Sequence, residues 1–276
     1  MDDHLKPLFS ISIVLYENDP EEIGLLIQDI INSTIRVKLY LLDNSASAAL
    51  NYLGELEQVE YNFNGANLGY GKAHNLAIHK SISAGFPYHL VMNPDIRFQA
   101  HVLKDIYDFM EQHQEVGQLM PKILYQDGEI QRLCKLLPTP FDLIGRRFCK
   151  NTAWAKSRNE KYELNHFNYD RIINTPSLSG CFMFMRNEVL EKAGGFDPRY
   201  FMYLEDYDLT RRMHALSKTI FYPKVDIYHG YQKESYKSMA LLKYHVVSAI
   251  KYFNKWGWIN DPERKVLNEN IWKQTC

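Results

Sequence analysis

Residues 8–22 read LFSISIVLYENDPEE, and this stretch decides the fold. Its first nine residues are apolar and rich in β-branched side chains, which predicts a buried strand over residues 8–16. Asp19, Pro20, Glu21 and Glu22 then supply a helix cap, a proline at the first helical position and acids in the first turn. Ile23, Leu25, Leu26, Ile27, Ile30 and Ile31 follow as one broad apolar helix face. The same grammar repeats downstream. Strands are predicted over residues 37–42, 59–63 and 89–92, and helices over 71–83 and 100–112. Strands alternating with helices at this spacing predict βαβ units and a mostly parallel central sheet flanked by helices.

In such sheets ligands bind beyond the carboxyl ends of the strands. Three polar clusters stand at those ends: Tyr16-Glu17-Asn18, Asp43-Asn44-Ser45 and Asn93-Pro94-Asp95. One strand-end Asp is commonly a turn former, but three in one half-chain point to a site. Further on, residues 117–125 and 129–133 read as a strand pair about Gln126-Asp127-Gly128. Residues 138–174 read as a long excursion with a short helix near 142–148. A strand is predicted over 178–185, and a helix over 187–193 closed by Gly194-Gly195. Another strand is predicted over 219–228, ending at His229.

Residues 199–212, RYFMYLEDYDLTRR, place an aromatic run before three acids at the start of a helix predicted over 205–216. Acids there complement the partial positive charge of a helix N-terminus, and Asp208 with Arg212 makes an ordinary i,i+4 pair. The loop at residues 64–75 is rich in Gly and Asn between a strand and a helix. It permits close backbone approach to an anion, with Lys72 and His74 as candidate diphosphate contacts, though it lacks the spacings of a P-loop or a dinucleotide fingerprint. Asp95 suits a hard cation held by few carboxylates plus phosphates, and His229 is a candidate further ligand.

The chain has 276 residues, a net charge of -1, 19 Tyr and four scattered cysteines. The charge gives no reason to expect nucleic acid, and the cysteine spacing fits neither a zinc site nor a redox pair. The N-terminus lacks the sections of a signal peptide, and no apolar run approaches the roughly 20 residues of a membrane span. A soluble or peripheral, cytoplasmic protein is expected. The tail over residues 235–258 has a helical pattern with Lys237, Lys243, Lys251 and Lys255 beside Tyr, Phe and Trp. That pattern suits peripheral contact with a membrane, a helix packed on the catalytic part, or a dimer contact.

The motifs run in one order. They are residues 10–16 (SISIVLY), 41–45 (LLDNS), 67–71 (NLGYG) with Asn75, 92–95 (MNPD), 179–183 (SGCFM), 194–197 (GGFD), 201–209 (FMYLEDYDL) and His229. As a set covering about residues 8–230, they resemble the inverting glycosyltransferases of family 2, and within them the bacterial rhamnosyltransferase branch. The resemblance implies a GT-A nucleotide-diphospho-sugar transferase fold over residues 1–230. Its nucleotide-sugar half would span about 1–115, its acceptor half about 116–230, with a C-terminal helical extension at 231–276.

The resemblance also implies roles. Tyr16 and Asp43 would meet the nucleobase, while Asn67, Gly69, Lys72 and Asn75 would line the nucleotide and diphosphate. Asp95 stands at the last acid of the family's Asp-X-Asp metal motif, with Asn93 where the first acid would be, and His229 at a position that binds metal in some members. The metal would be Mg²⁺ or Mn²⁺. Asp206 matches the catalytic base, Glu205 and Asp208 shape its setting, and Tyr203 belongs to an acceptor platform. The implied reaction moves a sugar, best matched by L-rhamnose from dTDP-rhamnose, onto a hydroxyl of a lipid-linked or surface-glycan acceptor. A UDP-hexose donor, a sugar-phosphate nucleotidyltransferase and a non-catalytic nucleotide- or glycan-binding protein are the rival readings. The oligomeric state is left open.

Overall fold

A computed structural model describes residues 7–143, 152–230 and 239–276. Its centre is a sheet built from β1 (Phe9–Leu15), β2 (Val37–Asp43), β3 (Val59–Phe63), β4 (Tyr88–Met92), β5 (Ile96–Arg97), β6 (Val116–Leu124), β7 (Ile173–Asn174), β8 (Phe182–Arg186) and β9 (Lys218–His229). The order is β3-β2-β1-β4-β8-β6-β9-β5, with β7 also on β9. Strands β3, β2, β1 and β4 pair in parallel, as do β6 and β9. Strand β8 runs antiparallel to both β4 and β6, so the carboxyl ends of β1, β2, β4 and β9 share one edge. This is the mostly parallel α/β sheet that the alternation predicts.

Helix α1 (Pro20–Ile31) starts where Asp19 accepts the N–H groups of Glu21 and Glu22, as its sequence dictates. Helices α2 (Tyr70–Ser83) and α3 (Val102–Gln112) follow β3 and β5. Alternation along β4 divides the core. Leu90 and Met92 face α1 and α3, whereas Val91 packs with Ile78 of α2 on the opposite face. That second face is completed by α6 (Asn187–Ala193) and α7 (Glu205–His214), through Leu190, Leu209 and Met213.

Three sequence expectations need correction. Residues 129–133 form no strand: Ile130 makes only a bridge to Leu124. Strand β6 already pairs with β8 and β9, which leaves little free edge. The strand expected from residue 178 begins at Phe182, because Gly180 leaves the sheet to donate its N–H to Asp206. The excursion holds α4 (Pro140–Leu143) and an unforeseen α5 (Ala153–Tyr162) capped by Thr152. The rest of the helix expected over 142–148 lies outside the described residues, as do Cys149, Lys237 and residues 235–238 of the tail.

The tail forms α8 (Met239–Trp256) and a second helix, α9 (Pro262–Thr275). Among the described residues, no helix is long and apolar enough to cross a membrane. Lysines and aromatics do not divide into opposite faces of α8. Tyr252 and Phe253 are buried against Tyr200 and Leu204, and Lys251 and Lys255 reach the 197–208 segment.

Candidate active site

At the end of β4 the backbone N–H of Asn93 donates to the Cys181 carbonyl at 2.9 Å. One residue earlier, the Gly180 N–H donates to Oδ2 of Asp206 at 2.9 Å. The Gly180–Cys181 turn therefore joins the strand-end cluster to the start of α7. The Tyr70 hydroxyl donates to the Gly180 carbonyl at 2.6 Å and fixes that turn from the other side. A side chain at 180 would meet Asp206 Cβ at 3.3 Å and Tyr70 at 3.6 Å, so glycine is what lets the carboxylate sit there.

The two acids of this helix start behave differently. Glu205 is 6% exposed, and its Oε2 is buried with no hydrogen-bond partner. Burial first, and then the Asp206 charge beside it, push its carboxyl up to about 8. Asp206 is only partly buried, and each of its oxygens accepts a backbone N–H, from Gly180 and from Tyr207 at 2.8 Å. Burial raises its carboxyl too, and these two bonds oppose the rise. Of the two, Glu205 is the acid that burial holds more strongly toward its neutral form, while the backbone N–H groups favour the charged form of Asp206.

Arg211 and Arg212, on the same helix as Asp206, pair with other groups. Arg211 pairs with Asp261 and Glu263 under the Trp256 ring, whereas Arg212 pairs with Asp208 and the Gly195 carbonyl. The Asp208–Arg212 pair is present but is no surface pair, since Asp208 is fully buried.

The Glu205 shift has a consequence for stability. Its folded carboxyl titrates above the ordinary value of 4.5, so the fold favours the protonated form. The contribution of this carboxyl to stability is therefore full below its ordinary titration range and is lost as pH rises toward about 8. Glu205→Gln should flatten the fall of Tm between pH 5 and pH 8 while keeping turnover. An unchanged Tm slope would contradict the protonated state.

The second corner of the site is Asn93, Asp95 and His229. Antiparallel pairing of Ile96 with His229 brings the Asp95 loop to the end of β9. His229 Nε2 lies 3.3 Å from Asp95 Oδ1 and 3.3 Å from Asn93 Nδ2. Gln131, which carries no local sequence signal, orients the ring. Its amide nitrogen donates to the His229 carbonyl at 2.8 Å, which leaves its oxygen 2.9 Å from Nδ1. Nδ1 is then the protonated nitrogen, and the Nε2 lone pair faces Asn93 and the Asp95 carboxylate. Two acceptors turned toward each other at this distance fit a shared cation. Among the described residues, no group of three His, Cys, Asp or Glu side chains could hold a metal. Further donors would have to be the Asn93 amide, water or phosphate oxygens.

The loop after β3 presses on the turn before Asp206. Gly69 has φ +81, and a Cβ there would collide with the Phe201 carbonyl oxygen, which also accepts the Tyr70 N–H at 2.9 Å. Tyr203 and Leu204, directly before Glu205, adopt φ +71 and +66. This is strained backbone of the kind that concentrates at functional sites. Asn67 accepts the Gly69 N–H at 3.0 Å, and Lys72 stands exposed on the first turn of α2.

Other candidates lie apart or turn away. His74 does not face a diphosphate: it is buried, bonded to Ser12 at 2.7 Å, and packed against Tyr70 and Phe196. Burial lowers its imidazole well below the usual range. Asn75 commits both ends of its amide to the Phe196 backbone, so it ties α2 to that loop. Asp43 is 1% exposed, with its carboxylate held by the Tyr61 hydroxyl and the Ser45 N–H. Tyr16 is 57% exposed at the rim above it.

No family model matches the chain. Two curated proteins do, both N-acetylglucosaminyl-diphospho-decaprenol L-rhamnosyltransferases from Mycobacterium tuberculosis, strains CDC 1551 / Oshkosh and ATCC 25618 / H37Rv. Each is 28% identical over 224 residues, 75% of this chain and 71% of theirs. Among solved structures, GalNAc-T7 with UDP, GalNAc and Mn²⁺ is similar with a TM-score of 0.63 at 14% identity. The match covers 96% of this chain and 53% of that one, so the chain spans about half of its length. S. aureus TarS 1-349 is similar with a TM-score of 0.59 at 13% identity, covering 96% of this chain and 70% of that one.

In fold and in sequence the chain is similar to the glycosyltransferases of GT-A fold. Within that class its relatives by sequence are L-rhamnosyltransferases, the branch that the ordered motifs resemble.

Proposed function

We propose that the chain transfers L-rhamnose from dTDP-rhamnose to a hydroxyl of a lipid-linked sugar, with inversion at the anomeric carbon. The observation that carries this reading is the single turn at Gly180–Cys181, which holds Asp206 on one side and the Asn93–Asp95 segment on the other. An inverting transfer needs a base and a leaving-group stabiliser on opposite sides of one carbon. The acceptor oxygen bonds to the anomeric carbon as its proton passes to Asp206. The bond from that carbon to the diphosphate breaks, and its electron pair leaves with the nucleoside diphosphate. Asp206 suits the base role because its raised carboxyl lies nearer the working pH, while two backbone N–H groups fix its aim.

Asp95 and His229 would hold a divalent cation beside the Asn93 amide, and such a cation offsets charge growing on the leaving diphosphate. Mn²⁺ in the GalNAc-T7 complex supports this assignment. Asn67, Gly69 and Lys72 would lie along the nucleotide, with Tyr16 at the base over the Asp43–Tyr61 floor. Tyr203 would stand on the acceptor side. With one carboxylate in the set, metal binding should be weak. Turnover is expected to fall at least 10-fold on chelation and to recover with Mn²⁺ or Mg²⁺. In Asp95→Asn the metal needed for half-maximal rate should rise at least 10-fold, and an unaltered metal titration would remove Asp95 from the site.

The mycobacterial relatives act on a GlcNAc-diphospho-decaprenol by name, which favours a polyprenyl-linked GlcNAc acceptor. UDP in the GalNAc-T7 and TarS complexes favours a second reading, a UDP-hexose donor. A transfer assay with both donors decides. Turnover of UDP-hexoses without release of dTDP from dTDP-rhamnose would overturn the first reading.

The exposed stripe of α8 supports peripheral contact with a membrane. Tyr244, Val247 and Ile250 recur at three-residue spacing beside exposed Lys243, and Trp258 and the 92% exposed Ile259 follow. The chain should sediment with phosphatidylglycerol-containing vesicles, and Val247→Glu with Ile250→Glu should abolish this. Wild type left in the supernatant would rule that contact out.

A further inference from the structure

We infer that α8 is a positioning element for the catalytic turn, acting through Ser248, Lys255 and Trp256; this rests on Asp206 being the base. The turn is an unfavourable one. Consecutive side-chain-bearing residues, Tyr203 and Leu204, hold left-handed backbone, and α7 starts directly after them with no side-chain cap. L-residues adopt that conformation in series only where the surroundings dictate it.

Helix α8 grips the chain on both sides of the turn. Before it, Ser248 Oγ donates to the Met202 carbonyl at 2.7 Å, and Lys251 donates to the Arg199 carbonyl. The Tyr244 ring lies 4.5 Å from that of Phe201, and His245 packs edge-on to Tyr203 at 5.4 Å. After it, Trp256 Nε1 and Lys255 Nζ reach Oδ1 of buried Asp208, at 2.8 and 2.7 Å. Oδ2 of the same carboxylate takes Arg212 at 2.9 Å. Leu204 itself is buried among Ala249, Tyr252 and Phe253 of the helix.

Two of these bonds end on backbone carbonyls of the segment that leads into the strained pair, Met202 directly before it and Arg199 four residues before it. They therefore act on the path of the chain, and through it on where Asp206 stands. A helix that only covered apolar surface would need neither those bonds nor the donors on Asp208. No residue of α8 makes a hydrogen bond or ion pair with Asp206 among the described residues, so its effect runs through the turn.

The test is a double-mutant cycle on the full chain. Ser248→Ala removes the Met202 bond, and Trp256→Phe removes the indole N–H while keeping a ring over Arg211. The pair is expected to lower kcat at least 10-fold with nucleotide Kd within twofold of wild type. In an Asp206→Asn background the same pair should cost nothing more, because the position of a lost base no longer matters. Lys255→Met, at a more exposed site, should lower kcat about threefold and serves if Trp256→Phe fails to fold. Unchanged kcat in folded variants, or an equal loss in the Asp206→Asn background, would overturn the inference with the base assignment intact. Wild-type turnover by Asp206→Asn alone would instead overturn the base assignment, and this inference with it.

Discussion

Asp206→Asn should lower kcat by about 10³-fold while leaving nucleotide affinity near that of the wild type. The substitution is nearly isosteric, and its remaining oxygen can still accept the Gly180 N–H that fixes the side chain. What it cannot do is take a proton from the acceptor hydroxyl. Glu205→Gln is the matched control. Glu205 is buried, protonated at neutral pH and one residue away, so its amide should be tolerated. The wild-type rate should also fall on the acid side, as the raised carboxyl of Asp206 becomes protonated. Equal losses in the two variants would mean that the acids act as one unit, whereas wild-type turnover in Asp206→Asn would remove the base from Asp206.

Gly69→Ala should be nearly as damaging, from a position that offers no functional group. Gly69 has φ +81 and ψ 173, backbone that is essentially confined to glycine. Its missing Cβ is also what makes room for the Phe201 carbonyl, and the Phe201 ring carbon Cδ2 would lie only 2.9 Å from it. Relief of that clash has to move the Gly69 loop away from the turn before Asp206, the two parts proposed to close on one donor. A shift of about 1 Å can cost roughly 100-fold in rate, and kcat and nucleotide affinity should fall together. Gly85→Ala separates this from a general glycine effect. Gly85 has φ +75 with nothing within 4 Å of a Cβ, so it should cost about 1 kcal/mol of stability and leave turnover alone. Matching behaviour of the two variants would refute the close-approach argument.

The strands that carry the site were legible because they are apolar runs bounded by caps and breakers. Strand β3 was read to the residue, and β1, β2 and β4 to within one or two. The helix start at Asp19-Pro20-Glu21 was legible for the same reason. The equivalent signal at Asp261-Pro262-Glu263 stands alone in the sequence. Helix α9 buries little apolar surface, with Ile271 its one buried aliphatic side chain, so no periodicity reinforced the cap. Helix α5 was hidden likewise, burying only Ala155 and Tyr162 along a polar stretch.

The site shows a sharper division. Asp95 and His229 stand at strand ends that topology brings together, and Asp206 is proposed from motif order at a helix start. What orients them was not legible in the sequence. Gln131 reaches His229 across 98 residues of sequence, and Tyr70 reaches Gly180 across 110. Nothing local marks either. Lys72 and His74 show the limit of reading a loop by composition. Two residues apart on the first turn of α2, they point in different directions, one into solvent and the other into a polar network between α2 and β1. Neighbouring charge likewise misleads for Arg211, whose partners Asp261 and Glu263 lie some fifty residues further on.

The central claim is an inverting transfer with Asp206 as base, and the stereochemistry of the product tests it most directly. The chain should be incubated with dTDP-rhamnose, a divalent cation and a polyprenyl-diphospho-GlcNAc acceptor, and the new linkage read by NMR. The account predicts one rhamnosyl bond per dTDP released, with the anomeric configuration opposite to that of the donor. A product that retains the donor's configuration would contradict it, since a single displacement by an acceptor deprotonated on the face opposite the leaving diphosphate must invert that carbon.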